Sequence, residues 1–163
     1  MYDLKKLIKD VFNPKDETFI LLNDLPGSES KINAGYIERK EMIKEWEKTL
    51  KAMKLNVVPV IYYEPTNSHG APLPDKAMQN RKQIDLNKIL DSLGEKNIVV
   101  AITTFSSTGP LQTRAKKQKF RAATMPGATM DMSAFEADYK LVAKKAHILA
   151  QKLTEAEAAS VTF

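Results

Sequence analysis

The residues best placed to do chemistry are three hydroxyl side chains directly before a short predicted helix. Ser106, Ser107 and Thr108 lie at its beginning, and Arg114 follows inside it. The unpaired backbone amides at a helix N-terminus attract anions, and an arginine beside them would add a full positive charge. The pattern predicts binding of a carboxylate or phosphate by these four residues. The alternative is that the hydroxyls only cap the helix.

The remaining residue types do not complete a catalytic set. The chain has two histidines, no cysteine and no HExxH motif, whereas a metal site needs several converging ligands. His69 lies in a proline-rich loop and His147 in the last predicted helix. Residues 24–30 hold one glycine, which matches no phosphate-binding loop, and no serine stands in a GxSxG motif. We therefore assign no catalytic residue, metal ligand or cofactor to this chain.

The charge distribution does not point to nucleic acid. The net charge of +5 is mild, and the one dense basic patch, residues 114–121, contains a single aromatic residue, Phe120. A charged N-terminal segment and the lack of any apolar run near ~20 residues indicate neither a signal peptide nor a membrane span. We expect a cytoplasmic protein with no membrane or nucleic-acid partner.

Hydrophobic periodicity divides the chain into alternating helices and strands. Apolar residues at steps of three and four predict five helices, at 2–12, 36–54, 77–93, 110–117 and 133–153. In the last of these helices, Ser133 and Glu136 have the spacing of a capping box. Short apolar or β-branched runs predict four strands, at 18–22, 57–63, 98–102 and 120–125. Within the second strand, Pro59 predicts an edge position or a bulge because proline cannot donate a ladder hydrogen bond.

This alternation predicts an α/β fold with a doubly wound, mostly parallel sheet of about four strands and flanking helices. Ligands in such sheets bind beyond the carboxyl ends of the strands. The loops at those ends are 23–33, 64–76 and 103–109. They are where the sequence places a binding site.

Three segments of the chain resemble the aminopeptidase T family of thermophilic-type metalloaminopeptidases. Residues 107–127 run Ser-Thr-Gly-Pro-Leu-Gln-Thr-Arg-Ala-Lys-Lys and end Arg-Ala-Ala-Thr-Met-Pro-Gly, similar to the family's Thr-x-Ala-Arg helix and Arg-x-Ala-Ser-Met-Pro-Gly segment, with Arg114 and Ala115 transposed. The helix from Asp138-Tyr139 to Ala156 is similar to the family's helix that leads into a second domain. The loop with Pro72 and Pro74 and the following Ala77-Met78 resemble the family's proline-rich loop and the Ala-Met helix after it.

The resemblance implies a flavodoxin-like, Rossmann-like N-terminal domain at residues 1–158, with 159–163 beginning a truncated second domain. In the family the second domain carries two divalent metal ions of the zinc or cobalt type, held by Glu, His and Asp ligands. The N-terminal domain is expected to wall one side of the peptide-binding cleft and to help assembly. This chain alone is then expected to be an inactive fragment. An iron-dependent dihydroxypyridine dioxygenase shares the architecture, so a reaction other than peptide hydrolysis stays open.

Two alternatives remain from the residues themselves. The chain could be a stand-alone module that binds an anionic small molecule through Ser106, Ser107, Thr108 and Arg114. It could also be an oligomerisation domain, forming a homodimer through the apolar stripe from Phe135 to Leu153.

Overall fold

The computed structural model describes residues 3–26, 34–130, 137–158 and 160. These residues form five α-helices, namely α1 (Leu4–Leu7), α2 (Ala34–Ala52), α3 (Leu86–Ser92), α4 (Thr108–Gln118) and α5 (Tyr139–Glu155). A π-helical segment, Ile8–Phe12, continues α1. Seven strands are β1 (Thr18–Asp24), β2 (Asn56–Val57), β3 (Ile61–Tyr63), β4 (Lys76–Gln79), β5 (Lys82–Asp85), β6 (Asn97–Thr103) and β7 (Arg121–Pro126).

Two fully buried strands form the centre of the sheet. β1 pairs in parallel with β6, and β6 pairs in parallel with β7. The continuous apolar runs in β1 and β6 arise because both faces of each strand are covered, and only the first residue of each strand is partly exposed. The predicted strands at 18–22, 98–102 and 120–125 are therefore confirmed; the first two are longer than predicted, and the third is shifted by one residue.

On the other side of β1, a proline interrupts the neighbouring strand. β2 and β3 both pair in parallel with β1, at its beginning and its end respectively. Pro59 lies between them, where it cannot donate a ladder hydrogen bond. The strand predicted at 57–63 is thus present as two pieces.

The predicted helix at 77–93 is wrong in its first half. Residues 76–85 instead form the antiparallel hairpin β4–β5, which adds to the sheet beside β3. Asn80 and Arg81 have φ angles of 50° and 62°, as a two-residue type I′ turn requires. Only α3 is helical, with the Asp85 side chain capping it. The sheet is therefore mixed, with seven strands in the order β5-β4-β3-β1-β6-β7 and β2 beside β1, rather than mostly parallel with about four.

Helices cover both faces of the sheet because successive side chains of β1 and β6 point to opposite sides. Phe19 and Leu21 join a core cluster with α1 and α2 that includes the buried Trp46. Ile20 and Leu22 join a second cluster with α3 and α4. These two layers fix the positions of the loops at the strand ends.

The last helix, α5, stands apart from this core. None of its residues is buried, although Tyr139 packs partly against the first cluster. Asp138 caps it by accepting hydrogen bonds from the backbone amides of Lys140 and Leu141. The capping pair Ser133 and Glu136 and most of 159–163 lie outside the described residues. Within the described residues, no helix combines the length and the apolar character needed to cross a membrane.

Candidate functional site: a crevice at the carboxyl edge of the sheet

The carboxyl ends of β1 and β6 mark the point where the chain changes direction across the sheet. From β1 the chain passes to β3 on one side, and from β6 it passes to β7 on the other. Loops that diverge in this way leave a crevice between two neighbouring parallel strands. Here the crevice is bordered by residues that follow β1 and β6 and by the N-terminal part of α2.

Asp24, the last residue of β1, holds the loop after β6 in place. Its two carboxylate oxygens accept hydrogen bonds from the Thr104 backbone amide at 2.8 and 2.9 Å. The Thr104 hydroxyl donates to Oδ1 at 3.2 Å, and the Phe105 amide donates to Oδ2 at 3.4 Å. Asp24 is 1% exposed. Burial raises the pKa of the Asp24 carboxyl. The hydrogen bonds and the nearby Arg39 lower this pKa, but by less than burial raises it.

Arg39 reaches the same loop from α2. The residue is 5% exposed, and its Nη2 donates to the Thr104 hydroxyl oxygen at 2.9 Å. Thr104 therefore stands between the arginine and Asp24, accepting from one and donating to the other. The Arg39 Nε has no hydrogen-bond partner among the described residues.

Above these groups lies a cavity of about 310 Å³. That volume is at the lower end of small-molecule pockets, which span roughly 300–1,000 Å³. Of the described residues that line it, half are apolar and half are polar, and together they are Leu25, Pro26, Tyr36, Arg39, Pro65, Asn67, Thr104 and Phe105. Burial and the charge of Asp24 both raise the pKa of the Tyr36 hydroxyl, which stays protonated and able to donate a hydrogen bond at neutral pH.

His69 fastens the proline-rich loop to the rim of the cavity. Its Nδ1 accepts a hydrogen bond from the Ser106 amide at 3.0 Å, and the Gly70 amide donates to the Ser106 carbonyl oxygen at 2.8 Å. The His69 ring also meets the Phe105 ring edge-on, with centroids 5.6 Å apart. Because Nδ1 accepts, the ring proton is on Nε2 in this arrangement. The histidine thus positions Phe105.

The three predicted hydroxyl residues lie at the rim, beside the crevice and at the start of α4. The Ser106 hydroxyl donates to the Thr108 hydroxyl oxygen at 3.0 Å, and the Thr108 and Thr124 hydroxyl oxygens are 2.6 Å apart. Ser107 is buried, and its backbone carbonyl accepts from the Leu111 amide. These bonds join the loop after β6 to β7.

Arg114 points away from these hydroxyls and toward α3. Its guanidinium donates to the side-chain and backbone oxygens of Asn87 and lies 3.7 Å from the Asp91 carboxylate. The structure therefore groups Ser106, Ser107 and Thr108 but engages Arg114 elsewhere. Binding of an anion by all four residues stays a prediction, and it requires Arg114 to leave α3.

The basic patch is also partly engaged. Arg121 donates to the Glu17 carboxylate at 2.8 Å and to the Phe12 carbonyl oxygen. The hydrogen bond from the Lys15 amide, together with that from Arg121, lowers the pKa of Glu17. This arginine fastens β7 to the N-terminal segment.

Asp24 and Arg39 were not singled out from the sequence, although each has a recognisable signal. Arg39 falls in the apolar phase of α2, with Met42, Ile43 and Trp46 at the third, fourth and seventh positions after it, so it must face the core. Asp24 ends an apolar strand at the edge where ligands bind. Among the described residues, no three His, Asp or Glu side chains are grouped to hold a metal ion.

Comparison of the chain with protein-family models, with curated proteins and with solved structures finds no significant match.

Proposed function

We propose that this chain is the N-terminal domain of a metal-dependent aminopeptidase of the aminopeptidase T type, which hydrolyses peptides from the N-terminus. The observation that carries the proposal is the convergence of two stretches of the resembling segment on the carboxyl edge of the sheet. Thr108, from the Ser-Thr-Gly-Pro stretch, lies 2.6 Å from Thr124, in the Arg-Ala-Ala-Thr-Met-Pro-Gly stretch, measured between hydroxyl oxygens. Residues that form a cleft wall are expected to cluster in this way.

The Met-Pro-Gly turn is fixed at the same edge. The Gly127 amide donates to the Thr103 carbonyl oxygen at 2.8 Å, which returns the chain to the end of β6. Gly127 has a φ of 64°, a conformation that favours glycine. The glycine of this turn is therefore explained by the backbone conformation as well as by the family resemblance.

The fold supports the finer assignment of a flavodoxin-like domain. The parallel strands lie in the order β3-β1-β6-β7, with α2 on one face and α3 and α4 on the other. This order matches the first four strands of the five-stranded flavodoxin-like sheet, with the β4–β5 hairpin added outside β3.

Metal chemistry is assigned to no residue of this chain. The metal of the zinc or cobalt type that the proposal implies needs a set of converging ligands, and the described residues offer no group of three. The contribution proposed for this chain is to shape one wall of the peptide-binding cleft with the rim around Thr108 and Thr124.

The test is an assay of the whole protein to which this chain belongs. Release of the first residue from peptides and aminoacyl-p-nitroanilides should require Zn²⁺ or Co²⁺, stop with a chelator and fail on N-acetylated peptides. Thr124→Val should raise KM, whereas Thr113→Val, which removes an exposed hydroxyl of α4, should not. A folded protein that releases no residue with either metal refutes the proposal.

A second candidate function, homodimer formation, is favoured by the exposed face of α5. Five large apolar side chains there are 44–60% exposed, namely Leu141, Val142, Ile148, Leu149 and Leu153. Lys145 and Lys152 neighbour Leu149 on the helix surface, so like charges would approach when two copies meet. The mass of the chain should therefore rise with concentration, and more readily in high salt. Leu149→Gln should abolish the rise and Lys144→Gln should not; a monomer at every concentration and salt refutes it.

A further inference from the structure

The crevice contains a buried cation whose charge the described residues compensate only indirectly. Arg39 is 5% exposed, yet no salt bridge within 4.0 Å joins its guanidinium to an acidic side chain among the described residues. The nearest acidic group in its network, Asp24, uses both oxygens on Thr104 and Phe105. Burying an arginine without a direct anionic partner is costly, and such a residue is a favourable site for an incoming anion.

We propose that this crevice binds a small carboxylate that carries an apolar group, with the carboxylate paired to the Arg39 guanidinium. Arg39 lines the cavity, and the Thr104 contact fixes the orientation of its guanidinium. An arginine held in this way presents its fork of donors to a planar carboxylate. Tyr36 and Asn67 also line the cavity, and their side chains carry polar atoms capable of hydrogen bonding to the ligand.

The apolar half of the lining selects the rest of the molecule. Pro26, Pro65 and Phe105 line the cavity beside the polar groups, and His69 holds the Phe105 ring by edge-on contact. A flat hydrocarbon group would remove this surface from water, which stabilises the complex in proportion to the area buried. The volume of about 310 Å³ limits the ligand to a small molecule.

The charges in the crevice favour a monoanion over a phosphate dianion. Arg39 is the one basic residue in the described lining, and the Asp24 carboxylate lies behind it. A second negative charge on the ligand would therefore have no cation to meet and would be repelled by Asp24. This inference concerns the crevice alone and does not depend on the proposed peptidase function.

The test uses four probes that separate charge from shape: benzoate, acetate, the neutral benzamide and inorganic phosphate. Binding is measured by calorimetric titration and by the shift in unfolding temperature at constant ionic strength. We expect saturable binding of benzoate, weaker binding of acetate, and no binding of benzamide or phosphate over the same range. Equal responses to benzoate and benzamide, or tighter binding of phosphate, would overturn the assignment.

Three variants connect the binding to this crevice. Arg39→Met should weaken benzoate binding by roughly ten- to a hundredfold, because it removes charge-assisted hydrogen bonds. Lys48→Met, which removes an exposed cation from the same helix as Arg39, should leave binding unchanged. Asn67→Asp alters an exposed loop residue, so it tests the site even where Arg39→Met fails to fold; it should weaken binding several-fold by repulsion. Undiminished binding in Asn67→Asp, or loss in Lys48→Met, refutes the site.

Discussion

Asp24→Ala should lower the free energy of unfolding by about 2 kcal/mol, because it removes the acceptor for two backbone amides. The Thr104 and Phe105 amides both donate to this carboxylate. A buried donor left without a partner costs ~1–3 kcal/mol. Both residues are only partly buried, so water can replace part of each bond, and the lower end of that range applies to each.

The isosteric Asp24→Asn separates the hydrogen bonds from the charge. Asparagine keeps one acceptor oxygen and removes the cost of burying a carboxylate, so the loss of unfolding free energy should stay within about 1 kcal/mol at neutral pH.

The raised pKa of Asp24 also predicts how the stability of the protein changes with pH. The folded protein binds this proton more tightly than the unfolded chain does. The stability of the wild type relative to Asp24→Asn must therefore fall as pH rises from about 3.9, the unfolded pKa, through the folded pKa.

Urea unfolding gives both quantities, with the single, buried Trp46 as the fluorescent probe. Curves for the wild type and both variants are measured at intervals between pH 4 and pH 8. The reasoning is refuted if Asp24→Ala is as stable as the wild type. It is also refuted if the stability of the wild type relative to Asp24→Asn increases with pH, since that would mean a lowered pKa.

Three further predictions concern turns and packing, each measured by the same unfolding assay. Arg81→Gly should stabilise the chain by about 0.5–1 kcal/mol, because Arg81 has a φ of 62° in the β4–β5 turn; a loss would contradict the turn geometry. Gly127→Ala should cost about 1 kcal/mol through backbone strain alone, since nothing lies within 4 Å of an added Cβ; a loss above ~3 kcal/mol would indicate a clash instead. Leu50→Ala, at a fully buried site, should cost about 2–5 kcal/mol, and Leu149→Ala, at a site 59% exposed, less than about 0.5 kcal/mol; similar losses would mean that α5 is covered.

The central strands could be predicted from the sequence, whereas the hairpin could not. β1 and β6 each contain a continuous run of buried apolar residues, 19–22 and 98–102, which is typical of strands covered on both faces. In residues 77–93, Ile84, Ile89, Leu90 and Leu93 are compatible with helical spacing. The turn at Asn80-Arg81 lacks the Asn-Gly signal of a hairpin, so the local sequence favoured a helix there. Pairing of β4 with β3 determines the strand instead.

The crevice lies at the edge where the sequence places a binding site, but the sequence did not single out its most buried members, and the reason is physical. Asp24 and Thr104 are 80 positions apart, and the pairing of β1 with β6 is what brings them together. Arg114 shows the converse, since its position six residues after Thr108 does not determine the direction of its side chain. That direction is set by Asn87 and Asp91 on α3, a helix whose bounds the sequence did not fix.

The two proposals for the carboxyl edge depend on different residues and can be tested separately. The crevice is centred on Arg39 between β1 and β6, whereas the proposed cleft wall is centred on the Thr108–Thr124 contact between α4 and β7. The loop 104–108 contributes to both, because Thr104 binds Arg39 and Thr108 binds Thr124. If benzoate competes with peptide and Arg39→Met raises KM, the crevice belongs to the peptide-binding cleft. If benzoate binds without changing KM, the two sites are distinct, and the loop between them is the element through which they could be coupled.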